Sequence, residues 1–146
     1  MSNATALKFG YPHTLVAESA DWWILARPRQ PTLGSLVLVC KQAVTAFGDV
    51  SAAGFTDLHT VIATAEKTLK GFVAYERINY LMLMMVDPDV HFHVIPRYST
   101  VREYAGSSLP DASWPNPPNL GAAIELAPEV LAALTADLKA RWGKPG

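Results

Sequence analysis

Apolar residues recur along this chain with two different periods, and the changes between them divide it into elements. Thr14–Glu18 and Trp22–Ala26 are short runs rich in aliphatic and aromatic residues, and Ser19–Asp21 between them reads as the turn of a hairpin. Pro28 and Pro31 end the second run, and Gly34 opens a third, Leu36–Lys41. The unbroken apolar stretch of that third run predicts a central strand covered on both faces. The period then lengthens. Phe55, Leu58, Ile62, Ala65, Leu69 and Phe72 recur at three- and four-residue steps behind Ser51, a suitable N-cap. This predicts a long helix with one face on a core and Gly71 placed to end it. His59 falls off the stripe and is expected at the surface, as is His13 ahead of the first strand.

Strand-like runs return in Ile78–Tyr98, INYLMLMMVDPDVHFHVIPRY. Asp87-Pro88 is a turn pair, so the segment predicts a hairpin in which Val86 pairs with Asp89, Met84 with His91 and Met82 with His93. Side chains alternate across a strand. That register puts Val90, Phe92 and Val94 with Leu81, Leu83 and Met85 on an apolar face against the helix. Asp89, His91, His93 and Arg97 then share the opposite face with Met82 and Met84. After Arg97 the pattern breaks: residues 105–119 contain Gly106, Pro110, Pro115, Pro117 and Pro118 and read as irregular, with Trp114 docking on the domain or on a partner subunit. A last helix is expected to begin at Pro128, with Val130, Leu131, Leu134 and Leu138 on its apolar side and Gly143 as its stop. The sum is an α+β fold, an antiparallel sheet of about five strands with one main helix on one face and a C-terminal helix.

Composition narrows the function classes. With 146 residues the chain reads as a single domain, residues 1–146. Twelve basic against thirteen acidic residues lack the basic excess of a nucleic-acid binder. Cys40 is the lone cysteine, which excludes an intramolecular disulfide and a multi-cysteine zinc site; inside an apolar run it reads as a buried structural thiol. No run has the length of a membrane span, and the start of the chain lacks the basic stretch and apolar run of a secretory signal, so a cytoplasmic protein is expected. There is no P-loop, no dinucleotide-binding glycine fingerprint and no Ser or Cys nucleophile motif.

The chemistry therefore rests on Asp89, His91 and His93 at alternate positions of one strand. Such a row admits four readings: a two-His, one-carboxylate metal site, a nucleophilic imidazole attacking phosphorus, a non-catalytic anion site, or edge-strand surface residues. The surrounding string separates them. His91-Phe92-His93-Val94-Ile95-Pro96-Arg97 resembles the signature of the histidine triad (HIT) superfamily, which alternates three histidines with apolar residues and often continues into Val-Ile-Pro-Arg. Leu25–Lys41, with Pro31 and Gly34-Ser35, is similar to the segment preceding that family's main helix, and the order of elements matches over about residues 14–98. The Pro-rich segment and final helix, 99–146, carry no such resemblance.

The resemblance implies a homodimeric HIT-like nucleotide-binding protein. It further implies a hydrolase or transferase of a nucleotidyl group from dinucleoside polyphosphates or nucleoside phosphoramidates, needing no cofactor and no metal. His91 matches the nucleophile, which forms a nucleotidyl-histidine, and His93 the third histidine. Asp89 stands where the first triad histidine is usual, suited to hold an imidazole proton. Met84–Pro88 replaces a Gly- and Gln-bearing phosphate loop, so Arg97 and Arg27 are the expected phosphate donors. Ala26-Arg27 offers no clear ribose-gripping residue, and Ser35 and Ala43 stand where two further histidines are common. With these contacts replaced, the alternatives are a non-catalytic or weakly active nucleotide-binding protein and a metal-dependent enzyme using Asp89, His91 and His93. Part of the apolar excess, including Trp22, Trp23 or Trp114, is expected in a dimer interface.

Overall fold

The structure is a computed structural model that describes residues 3–144. In chain order its elements are α1 (Ala4–Lys8), β1 (Leu15–Glu18), β2 (Trp22–Ala26), β3 (Arg29–Gln30), β4 (Leu36–Cys40), α2 (Ala52–Val73), β5 (Arg77–Leu81), β6 (His91–Arg97), β7 (Arg102–Tyr104), β8 (Ser107–Leu109), β9 (Ile124–Glu125) and α3 (Pro128–Arg141). Five strands form one antiparallel sheet in the order β1-β2-β4-β6-β5. This is the α+β architecture expected from the alternation of apolar residues.

The sheet has two apolar faces because its middle strand is apolar at every position, and all five residues of β4 are buried. Leu36, Leu38 and Cys40, with Trp22 and Ile24 of β2 and Val94 of β6, pack under Leu58, Val61, Ala65 and Leu69 of α2 and Leu134 and Leu138 of α3. Val37, Val39 and Leu25 point the other way and are covered by Ala6 and Phe9. Cys40 lies within the main core as expected. Trp22 does too, where its indole N–H donates to the Gly54 carbonyl at 3.0 Å, so it is core rather than interface. Trp23 stacks beside Tyr11 with ring centroids 5.1 Å apart.

Ser51 caps α2 by accepting from Gly54 N–H. The helix passes through Gly71 and ends at Val73, with Ala74 taking the left-handed conformation expected of a C-terminal glycine. Packing of Val73 in the core holds that last turn. Of the predicted stripe, Leu58, Ala65 and Leu69 are buried, whereas Phe55 is exposed beside Phe47. His59 and His13 are exposed. Gly34, at φ +92°, makes the turn into β4; a Cβ there would lie 3.2 Å from Leu69. The buried Gln30 carboxamide holds the same turn by accepting from Gly34 and Ser35 N–H at 2.8 and 3.1 Å.

The hairpin leading into β6 departs from expectation. Leu81, not Met82, faces His93, and Tyr80 faces Val94. Pairing stops there, and residues 82–90 form an open loop in place of a tight turn at Asp87-Pro88. A slip of one residue transfers each side chain to the other face. Leu81 therefore shares the face of the histidines, Met82 and Met84 pack on the main core, and Leu83 and Met85 are exposed. Phe92 and Val94 still face α2 and His91 and His93 still face away, because β4 independently sets their register through Leu38↔Phe92 and Val39↔His91.

Three features were not anticipated. The helix α1 covers the histidine face, β3 pairs with β9, and β7 and β8 make a small hairpin that runs into the stretch read as irregular. Trp114 is half-buried and lines a groove beside β5.

Candidate active site

His91 and His93 are held on one face of β6 by strand alternation, and both are nearly fully buried. Their rings lie 5.3 Å apart at 81°, and Phe9, just after α1, contacts both at 6.1 and 5.6 Å. The His91 Nδ1 is 2.7 Å from the backbone carbonyl of Asp89. A carbonyl only accepts, so Nδ1 carries the proton and the lone pair of the neutral ring is on Nε2. His93 differs. Its Nδ1 is buried without a hydrogen-bond partner. Burial first, then Arg27, His91 and Lys8, push its pKa down to about 4, with Asp87 opposing. Near pH 7 it is a neutral imidazole.

Both rings line a cavity of about 340 Å³, within the size range of small-molecule sites. Lys8, Arg27 and Arg29 bring positive charge to it, and Asp87 the carboxylate. Lys8 Nζ pairs with Asp87 at 2.9 Å, which ties the end of α1 to the loop before β6. Arg27 donates from one terminal nitrogen to the Arg29 carbonyl, while its Nε is buried without a partner. Burial, and the nearby Arg29, lower the Arg27 pKa from its ordinary value. The cavity thus combines a preset imidazole lone pair with an incompletely satisfied guanidinium, a combination suited to an anionic, phosphorus-centred ligand.

No family model matches the sequence, and no curated protein matches it. Solved structures do. A histidine triad (HIT) protein from Sinorhizobium meliloti 1021 is similar over 97% of this chain and 96% of its own, with TM-score 0.75 and 17% identity. A histidine triad protein from Bradyrhizobium japonicum covers 88% of this chain and 89% of its own, with TM-score 0.71 and 18% identity. A uridylyltransferase mutant is similar over 96% of this chain and 45% of its own, with TM-score 0.63 and 17% identity. The fold is that of the histidine triad proteins. The expected element order over residues 14–98 holds, and the likeness extends beyond it, since the first of these structures covers nearly the whole chain.

Within this histidine triad fold, two sequence-based assignments change. The Asp89 carboxylate accepts from Thr5 Oγ1 at 2.9 Å and Thr5 N–H at 3.2 Å, anchoring the start of α1. What Asp89 offers His91 is its backbone carbonyl, which any residue at that position can supply. Asp89 lies outside β6, so its side chain does not join the row of imidazoles, and no group of three metal-ligating side chains occurs among the described residues. Arg97, expected on phosphate, is buried in an ion pair with Asp111, with Nε–Oδ2 at 2.7 Å and Nη2–Oδ1 at 3.0 Å. Its remaining donors go to Asn79, Ser113 and the Asn116 carbonyl. It lines the groove beside β5, not the histidine cavity. Its chemistry resembles that of a phosphate donor, but its own chain supplies the acceptors.

Lys8, Phe9 and Arg29 were missed. Arg29 had a signal, as a second cation two residues from Arg27. Lys8 and Phe9 had none, because α1 reaches the site through tertiary contacts: Thr5 with Asp89, Lys8 with Asp87, and Ala6 and Phe9 on the sheet.

Proposed function

We propose that this chain is a cytoplasmic nucleotide-binding protein of histidine triad type, acting as a nucleotidyl hydrolase or transferase through His91. The observation that carries the reading is the bond from His91 Nδ1–H to the Asp89 carbonyl, which leaves Nε2 as the nucleophile. In the first step the Nε2 lone pair forms a bond to the α-phosphorus, and the bond from phosphorus to the leaving group breaks with its electron pair on that group. In the second, water or another acceptor attacks the same phosphorus, loses its proton, and the N–P bond returns its pair to Nε2. Charge on the phosphoryl oxygens is met by Arg27, Arg29 and Lys8, which line the cavity with His91. His93 is neutral, so it offers the phosphoryl group a hydrogen bond without a charge.

The test is a panel of dinucleoside polyphosphates and nucleoside phosphoramidates assayed with the wild type and His91→Asn. The variant is expected to retain its thermal transition and lose turnover by at least about 10⁴-fold, as removal of a covalent nucleophile does. Turnover at the wild-type rate overturns the assignment. A non-catalytic nucleotide binder is the second reading, favoured by the engagement of Arg97 with Asp111 and by the presence of the Asp87 carboxylate in the cavity. Calorimetric binding without cleavage across the panel selects it. The active form is proposed as a homodimer, consistent with β5 being an edge strand of the sheet, and light scattering tests this.

A further inference from the structure

The loop 82–90 has an unusual composition for its position. Leu83, Met85 and Val86 are 50%, 85% and 82% exposed, and all three line the histidine cavity. Single exposed apolar side chains are ordinary, but three within four residues around one cavity form a patch. The loop is also held in place. Met84 adopts φ +50°, a left-handed conformation unfavourable for a side chain of its kind, while its side chain packs on the main core. Downstream, Asp87 is paired with Lys8 and Asp89 with Thr5. Leu83, Met85 and Val86 are thus displayed by a loop anchored on both sides of them.

The same cavity holds Arg27, whose buried Nε lacks a partner, and Arg29. One ligand that satisfies both parts carries an anion and an apolar group in the same molecule. A ligand made only of phosphates would bring charged oxygens against Met85 and Val86, where they lose hydration without gaining a hydrogen bond, which is unfavourable. We infer that the preferred substrate is a phosphate derivative bearing an aryl or branched alkyl group, with its phosphoryl oxygens at Arg27 and its apolar group against Leu83, Met85 and Val86. This rests on the phosphate reading of the cavity and adds to it the class of the substituent.

Competition calorimetry with two probes separates the two levels. Inorganic phosphate reports the anion site alone, and phenyl phosphate reports both parts. The wild type is expected to bind phenyl phosphate at least about tenfold more tightly than inorganic phosphate, the equivalent of about 1.4 kcal/mol. In the double variant Met85→Ser, Val86→Ser the ratio is expected to fall toward one. Both side chains are exposed, so folding is not at stake. A wild-type ratio near one, or a tenfold ratio that persists in the variant, overturns the inference while leaving the phosphate reading intact. Failure of both probes to bind overturns the phosphate reading, and the inference with it.

Discussion

At one end of β6, all three nitrogens of Arg97 donate to groups of its own chain: Asp111, Asn79, Ser113 and Asn116. At the other end, on the same face, His93 keeps a buried ring nitrogen without a partner and His91 directs its one protein bond through Nδ1. Both ends are buried and both carry residue types that recognise phosphate. They differ in satisfaction. Where every donor is met, the polar cluster acts as structure, here fastening the 111–116 segment to the sheet. Where buried groups of cavity-lining residues lack partners, polar burial has no structural return within the chain.

The largest expected effect is the loss of turnover in His91→Asn described above. Next is Asp111→Ala, which leaves a buried guanidinium without its carboxylate. It is expected to lower unfolding free energy by about 3–5 kcal/mol in chemical denaturation, as breaking a buried pair does. Its affinity for inorganic phosphate should stay at the wild-type value, and a parallel fall in affinity would break the contrast between the two ends.

His93 supplies the next effect. Its folded-state pKa of about 4 lies below the ordinary histidine value, so from about pH 6.5 down to 4 the unfolded chain binds a proton that the folded chain refuses. Stability conferred by the neutral ring is present above that window and is lost as the pH falls through it, by roughly 3 kcal/mol in all. In His93→Asn the stability profile over that window should be flatter by this amount, measured by thermal or denaturant unfolding at several pH values. An unchanged profile means that His93 is not held neutral by its site. The smallest effect is assigned to Arg27→Gln, expected to weaken inorganic phosphate binding about tenfold and to reduce its salt dependence. If the affinity is unchanged, the cationic part of the cavity lies with Lys8 and Arg29 instead.

How much of this was legible depended on how local each cause is. The fully apolar β4 and the alternating β6 were readable because burial on two faces or on one leaves a direct trace in residue order. The start of α3 at Pro128 was likewise a matter of local backbone preference. The turn before β6 was misread because Asp87-Pro88 is a sound turn pair, yet the pairing with β4 and the packing of Met84 decide where the strand begins. Gly71 was misread for a similar reason, as core contacts of Val73 carry the helix past it.

The site divides along the same line. That His91 and His93 share a face, and that the flanking string resembles a histidine triad, followed from residue order alone. Which cations accompany them did not. Arg97 and Arg27 are equivalent on paper, and only the arrival of Asp111 from a later loop removes one and leaves the other at the cavity. Asp89 is next to the histidines in the chain, yet its carboxylate turns to Thr5, a residue far away in sequence, while its carbonyl sets the His91 tautomer. Sequence by itself determined the five strands of the main sheet, its two longer helices and the shared face of His91 and His93, because each depends on periods of two to four residues. Tertiary structure alone decided which polar groups are already satisfied, because hydrogen-bond partners for buried charges come from segments that meet only when the chain is folded.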